Sequence, residues 1–275
     1  MNTAFERFAP LAAFVAHETG LGAGVRPAMS RRDAALDIER GGRQWLPVSA
    51  HITERYLVTY RAPAARLGAL VPAPLAVDAL DGHGFVSVCA LEMDDMGVVG
   101  TPWFLRFANR ELLYRVGVRI AGRPTFFTWR SDVSSRALAS LGKFSHYRLR
   151  HADVVGQRSD AGLRLTCASR DGRADADFEA QPRPCAAPGG SVFASVEAAT
   201  RFLLGMSFSV DVTPMGRVRV QDIEHDPWRA CFVEPSRRRF DFLDRLGSAM
   251  GVKLEYDHTL AMTDLRQTWR AARWI

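Results

Sequence analysis

Thr53-Glu54-Arg55-Tyr56-Leu57-Val58-Thr59-Tyr60-Arg61, followed by Leu70-Val71-Pro72-Ala73-Pro74-Leu75, is the stretch on which the fold is read. From Glu54 onward the text is strand-like, and Arg55–Arg61 is mostly aromatic or β-branched, as a pleated, half-buried surface favours. Pro63–Leu70 fits one or two helical turns, with proline at the start, where its missing N–H costs nothing. Val71–Leu75 forces an extended bend, because proline restricts both its own φ and the residue before it.

Outward from this stretch the chain reads as many short strands and few helices. Gly84–Met93 is nearly all apolar, as a strand covered on both faces would be. In Glu111–Ile120 the residues Leu112, Tyr114, Val116, Val118 and Ile120 point one way, and Glu111, Leu113, Arg115, Gly117 and Arg119 the other. Thr125–Trp129 is a further strand, reached through a turn at Ala121–Pro124. Ser134–Lys143 reads as a helix that Ser134 or Ser135 can cap. Short strands follow near 147–154, 162–168, 174–180, 206–212 and 216–224. Helices are expected at Val196–Leu204 and Ser236–Met250, before a last strand at Val252–Met262. The pattern predicts a mainly β (α+β) fold, an antiparallel barrel or stacked sheets with a few peripheral helices. Residues 3–19 read as a broken helix and 20–48 as a Gly- and Arg-rich linker. The expected division is therefore an N-terminal helical arm and linker over 1–48 and a barrel domain over 49–275.

The chain has 275 residues, 47% hydrophobic and 24% charged, enough for a sizeable core and unlike a disordered or disulfide-scaffold composition. The formal charge is +6. Of the 36 basic residues all but Lys143 and Lys253 are arginine. The four cysteines, Cys89, Cys167, Cys185 and Cys231, form no C-x-x-C pair and no zinc pattern. They read as reduced, mostly buried thiols of a cytoplasmic protein. The apolar run Ala9–Ala16 carries Pro10 and is too short to span a bilayer, and Glu6 and Arg7 make a poor signal-peptide start. The phosphate-loop, nucleophile-elbow and H-E-x-x-H motifs are absent, and Gly20–Gly24 lacks the strand a dinucleotide fingerprint needs. No cofactor, metal, nucleic acid or membrane is expected.

The opening stretch resembles the start of the acetoacetate decarboxylases, which have an N-R-E-Y strand, a Y-R, a short helix and V-P-x-P-L. Later segments resemble a sister group, the YqjF-like proteins of unknown function. These are Asp81-Gly82 leading to Phe85-Val86-Ser87-Val88, Glu111–Val116, Ser134-Ser135-Arg136, His151-Ala152 and His225-Asp226-Pro227-Trp228. The resemblance covers roughly residues 50 to 260. It implies an acetoacetate decarboxylase-like antiparallel β-barrel with a closed cavity for a small carboxylate or keto compound. In the decarboxylases a desolvated lysine forms a Schiff base with the ketone, and an Arg and Glu side chains hold the substrate.

Carried over residue by residue, Glu111 falls at a cavity Glu of that family. Thr53 stands at the family's Arg, and Arg55, two residues on and on the same strand face, can substitute. For the lysine two registers stay open. Arg136-Ala137-Leu138 spaced to Lys143 makes Lys143 the imine carrier. Anchoring on Ser134-Ser135-Arg136 and His151-Ala152 instead puts Leu149 or Arg150 there, and arginine cannot form an imine. The candidate catalytic residues are Glu111, Lys143 and His146, and the candidate substrate-binding residues are Arg55, Arg115, Tyr114 and His225. Each has a plain alternative: a solvent-facing stripe for Glu111, Arg115 and Arg119, helix-end solvation for Lys143, a structural role for His146 and His151, a turn role for His225. Asp94-Asp95 reads as a solvated loop or a cation site, Arg237-Arg238-Arg239 as a solvated face, and Phe126, Phe127 and Trp129 as core.

Three functions remain. The first is a barrel that binds, or by acid–base chemistry transforms, a small anionic organic molecule. The second is a Schiff-base decarboxylase or aldolase using Lys143. The third is a non-catalytic carrier or anionic-partner binder. A homo-oligomer is compatible with each.

Overall fold

The computed structural model describes residues 46–140, 147, 149–204, 207–213, 215–227 and 229–275. The expected N-terminal helix and most of the linker, together with Lys143, His146 and Trp228, lie outside these residues.

In chain order the elements are β1 (Val48–Pro63), α1 (Ala64–Gly68), β2 (Ala76–Val77), β3 (Ala79–Leu80), β4 (His83–Val98), β5 (Phe107–Ile120), β6 (Arg123–Val133) and α2 (Arg136–Ser140). Then come β7 (Leu149–Ser159), β8 (Gly162–Ser169), β9 (Ala176–Ala180), α3 (Val196–Leu204), β10 (Phe208–Val212), β11 (Val218–His225) and β12 (Cys231–Phe232). The chain ends with β13 (Arg237–Phe240), α4 (Asp241–Met250), β14 (Glu255–Trp269) and β15 (Arg273–Trp274).

Among the described residues seven strands close a ring in the order β6-β10-β11-β14-β1-β4-β5 and back to β6. This is the expected mainly β architecture, with one difference: the β6–β10 contact is parallel rather than antiparallel. Strands β7, β8, β9 and β13 form a second layer, joined to the ring where β6 and β7 pair in parallel at Ser131–Val133. Two two-residue turns set hairpin register, one joining β3 to β4 and one joining β5 to β6 of the ring. Asp81-Gly82 and Ala121-Gly122 have φ of 50° and 77° and of 47° and 75°. Paired positive φ is what a turn matched to the twist of its strands requires.

The strands alternate between two apolar clusters. Tyr56, Val58, Val86, Val88, Leu112, Tyr114 and Val116 point outward against Leu165 and Phe178 of the second layer and Phe242 and Leu246 of α4. Leu57, Phe85, Cys89, Leu113, Leu260 and Met262 point to the other side, where Phe193 and the α3 residues Ala199 and Leu203 join them. Strand β4 is thus covered on both faces, as its unbroken apolar run predicts. Each fully buried large apolar side chain contributes about 1.5–3 kcal/mol. An exposed ion pair contributes about 0–1 kcal/mol, so the two clusters, not the many surface arginine pairs, hold the fold.

Several boundaries differ from the sequence reading. Strand β1 starts at Val48, inside the expected linker. The helix expected from Ser236 begins at Asp241, because Arg237–Phe240 pairs with β9 while Arg237 bonds Glu179 and Asp177. Asp241 and Asp244 then occupy the first turn of α4, where the helix dipole favours negative charge. Of the cysteines, Cys89 and Cys167 are buried but Cys185 is exposed, and all four are free thiols.

Candidate active site

Period-two alternation brings three successive rows of side chains onto the inner wall of the ring. Pairing of β14, β1, β4 and β5 places Met262, Arg55, Leu91 and Glu111 in the first row. The second is Leu260, Leu57, Cys89 and Leu113, continued by Ser131 on β6. The third is His258, Thr59, Ser87 and Arg115. That this wall faces inward follows from Tyr147. Its hydroxyl donates to Ser209 Oγ of β10 at 3.0 Å, and it packs against the cluster of Phe126 on β6 and Ile223 on β11. A side chain that meets β10, β6 and β11 of a ring from one side lies inside it.

Glu111 is buried, and Ser131 Oγ donates to its Oε1 at 2.6 Å. Burial pushes the carboxyl up to about 7, against the opposing pull of the Ser131 bond and the Arg55 charge. Arg55 is also buried, and its Nη2 donates to Cys89 Sγ at 3.7 Å. Arg115 lies with its guanidinium over the Phe126 ring at 4.5 Å and donates to the Leu203 carbonyl at 3.4 Å. Burial lowers its proton affinity, with Arg55 acting in the same direction, but a guanidinium stays charged. The Tyr147 phenol is raised by burial first, and Glu111 adds to that.

The structure therefore brings Arg55, Glu111 and Arg115 to one wall. Arg55, not Thr53, carries the guanidinium inward; Thr53 Oγ1 instead donates to the Glu92 carbonyl. Tyr114 lies on the opposite face, packed on Phe242 at 4.7 Å between ring centroids, so it is not brought together with Glu111. His225 is half-buried at the end of β11, its Nδ1 within 2.7 Å of the Asp226 carbonyl. Lys143 and His146 are outside the described residues. Of the alternatives to the lysine, Leu149 sits opposite Ser131, whereas Arg150 pairs with Asp171 on the other side. Lys253 is exposed in a groove beside α4 with Tyr60, Arg238 and Tyr256, on the outer side of the ring. Asp94 binds His51 and Asp95 binds Arg106, and no metal-holding cluster occurs among the described residues.

Sequence reasoning missed Tyr147, Ser209 and Ser131. Tyr147 stands at the start of the strand expected near 147–154, and the two serines look like ordinary strand polar residues until the ring closes. It also missed a dyad at the far end of the third row. His258 Nδ1 lies 2.6 Å from Asp257 Oδ1, and both side chains are fully buried. A register shift makes this possible: Thr59 faces His258 but Tyr60 faces Tyr256, leaving Asp257 as the extra residue of a bulge.

A family model described as DUF2071, an uncharacterized conserved protein, matches residues 49–261. A search of curated sequences finds no match. Among solved structures, an acetoacetate decarboxylase-like enzyme from Sphingomonas wittichii RW1 superposes with a TM-score of 0.59 at 13% identity, covering 93% of this chain and 99% of that one. The acetoacetate decarboxylase of Legionella pneumophila gives 0.58 at 14%, covering 93% and 98%. The enduracididine biosynthesis enzyme MppR, solved with the condensation product of pyruvate and imidazole 4-carboxaldehyde, gives 0.56 at 14%, covering 84% and 90%. At these identities the likeness establishes a common fold. No helix among the described residues is long and apolar enough to cross a membrane.

Proposed function

The chain belongs to the DUF2071 family, and on that premise we propose that the ring binds a small carboxylate or keto acid and moves a proton on it through Glu111. The observation that carries this reading is the Glu111 carboxyl itself: buried, fixed by Ser131 at 2.6 Å, and raised to about 7. A carboxyl with that value exists in both protonation states at neutral pH, so it can take a proton beside a carbonyl and return it. Dehydration, cyclisation and enolisation need that step. Arg115 supplies the second half. It is a buried cation whose partners among the described residues are a backbone carbonyl and a ring face. A buried charge is stabilised by a counter-charge, and a ligand carboxylate provides one with bidentate geometry. Arg55, in the same row as Glu111, is positioned to polarise the carbonyl.

Pyruvate is the natural probe, since an MppR structure also contains it. The test is calorimetric binding together with exchange of the pyruvate methyl protons in D2O, followed by NMR. The expected result is saturable binding that Arg115→Met weakens tenfold or more. Glu111→Gln keeps the binding but abolishes the exchange. A wild-type protein that neither binds nor exchanges pyruvate or acetoacetate overturns the reading.

A further inference from the structure

The third row of the inner wall is polar from end to end. His258 faces Thr59, Thr59 faces Ser87, and Ser87 faces Arg115. Thr59 and Ser87 have their hydroxyls 3.5 Å apart, and both residues are buried. At the His258 end the imidazole is held on one side only. Nδ1 donates to Asp257 Oδ1 at 2.6 Å. Asp257 is itself fixed by the Ser191 hydroxyl at 2.7 Å, the Val192 N–H at 3.2 Å and Arg61 at 3.3 Å. The bonds from His258, Ser191 and Val192 hold the Asp257 carboxyl below its usual range despite its burial. The opposite nitrogen, Nε2, is buried and has no hydrogen-bond partner among the described residues. The edges of Phe193 and Phe232 flank the ring at 5.3 and 5.4 Å between centroids.

This arrangement determines the tautomer. A carboxylate beside Nδ1 accepts its proton, so in the neutral imidazole Nε2 is a bare lone pair, an acceptor. A buried acceptor without a donor is disfavoured, and an orienting carboxylate behind it is how proteins present an imidazole nitrogen to a partner. We propose that His258 Nε2 receives the hydroxyl of a ligand whose carboxylate is held by Arg115, with Asp257 as the positioning residue. Three strand spacings separate the two backbones along the wall, about 14 Å at ~4.8 Å each, and both side chains project inward from it. The hydroxyl and the carboxylate therefore sit on different, non-adjacent carbons, and the substrate class is a β- or γ-hydroxy carboxylate rather than a 2-hydroxy acid. This inference rests on the arginine-anchored reading above and names the other end of its ligand.

The experiment compares butyrate, 3-hydroxybutyrate and 4-hydroxybutyrate. Affinity is measured by calorimetry, and the ring nitrogens by NMR of protein labelled with 15N-histidine, the His258 signals being assigned by His258→Gln. The expected result is that a hydroxybutyrate binds about three- to tenfold more tightly than butyrate and moves the Nε2 resonance, while butyrate leaves it in place. Asp257→Asn, which reverses the orienting hydrogen bond, removes the preference without weakening butyrate more than about twofold. Equal binding of all three with an unmoved Nε2 overturns the inference and leaves the arginine reading standing. Absence of binding by all three overturns both. If His258→Gln does not fold, assignment and preference are read from Asp257→Asn alone, and a preference kept in that variant also overturns the proposal.

Discussion

Ser131 reaches Glu111 diagonally across two strands: Ser131 pairs with Leu113, Glu111 pairs with Val133, and the hydroxyl still closes on Oε1 at 2.6 Å. Burial raises the carboxyl to about 7 from a reference of 4.5, so the folded state holds a proton that the unfolded chain has already released. Stability linked to Glu111 is therefore present below about pH 4.5 and lost as the pH rises to about 7, by about 3 kcal/mol at most. Glu111→Gln should remove that part of the slope, so urea midpoints measured between pH 4.5 and 8 should decline less steeply than in the wild type.

Ser131→Ala tests the same pair from the other side. The Ser131 bond favours the ionised carboxylate, so its loss should raise the Glu111 pKa further. An NMR titration of the Glu111 carboxyl carbon should show the midpoint moving upward; an unchanged or lower midpoint contradicts the assigned role of the hydroxyl.

On the outer face Arg130 grips Asp132 through two bonds, at 2.6 and 2.9 Å, and Asp171 through two more, at 2.7 and 3.0 Å. Arg130 and Asp132 are both buried. Breaking a buried pair from one side costs about 3–5 kcal/mol, because the remaining charge stays desolvated. Asp132→Ala should fall at the low end, since Asp171 still holds Arg130. The check is a lowered urea midpoint with an unchanged m-value.

His51 sits between Asp94 at 2.7 Å and Asp264 at 2.8 Å. The Asp264 bond is the largest cause that raises its pKa above 6.5, with Asp94 adding to it against desolvation. The stabilisation is present below pH 6.5 and lost as the pH rises through the folded value. A proton NMR titration of the His51 ring should give a midpoint above 6.5 that Asp264→Asn lowers.

Much of this fold is legible in the sequence, and the reasons for the rest are local. Glu111–Ile120 alternates cleanly, and its two faces are the two faces of the wall. The first part of β1 was hidden because register shifts between Ser49 and His51 and between Ile52 and Glu54 break the period of two. The Asp257–His258 dyad was hidden for the same kind of reason. Strict alternation sends neighbours to opposite faces, and only the bulge turns Asp257 toward His258. Tyr147 and Ser209 meet across 62 positions of sequence, a contact that closure of the ring creates and no local pattern announces.

The scarcity of lysine makes the last prediction sharp. Imine chemistry needs a neutral amine inside the ring. Lys253 is exposed beside α4, so Lys143 is the remaining lysine of the sequence. Proton transfer by Glu111 needs no lysine at all. Incubation with pyruvate and borohydride, followed by intact-mass measurement, should therefore leave the wild-type mass unchanged, and Lys143→Arg should retain methyl-proton exchange. An adduct that disappears in Lys143→Arg, with exchange lost in parallel, would transfer the chemistry from Glu111 to an imine. The two mechanisms also separate on pH: exchange through Glu111 should rise with the deprotonated carboxylate through a midpoint near 7, and Ser131→Ala should displace that midpoint upward, whereas a lysine-borne imine has no reason to follow the Ser131 hydroxyl.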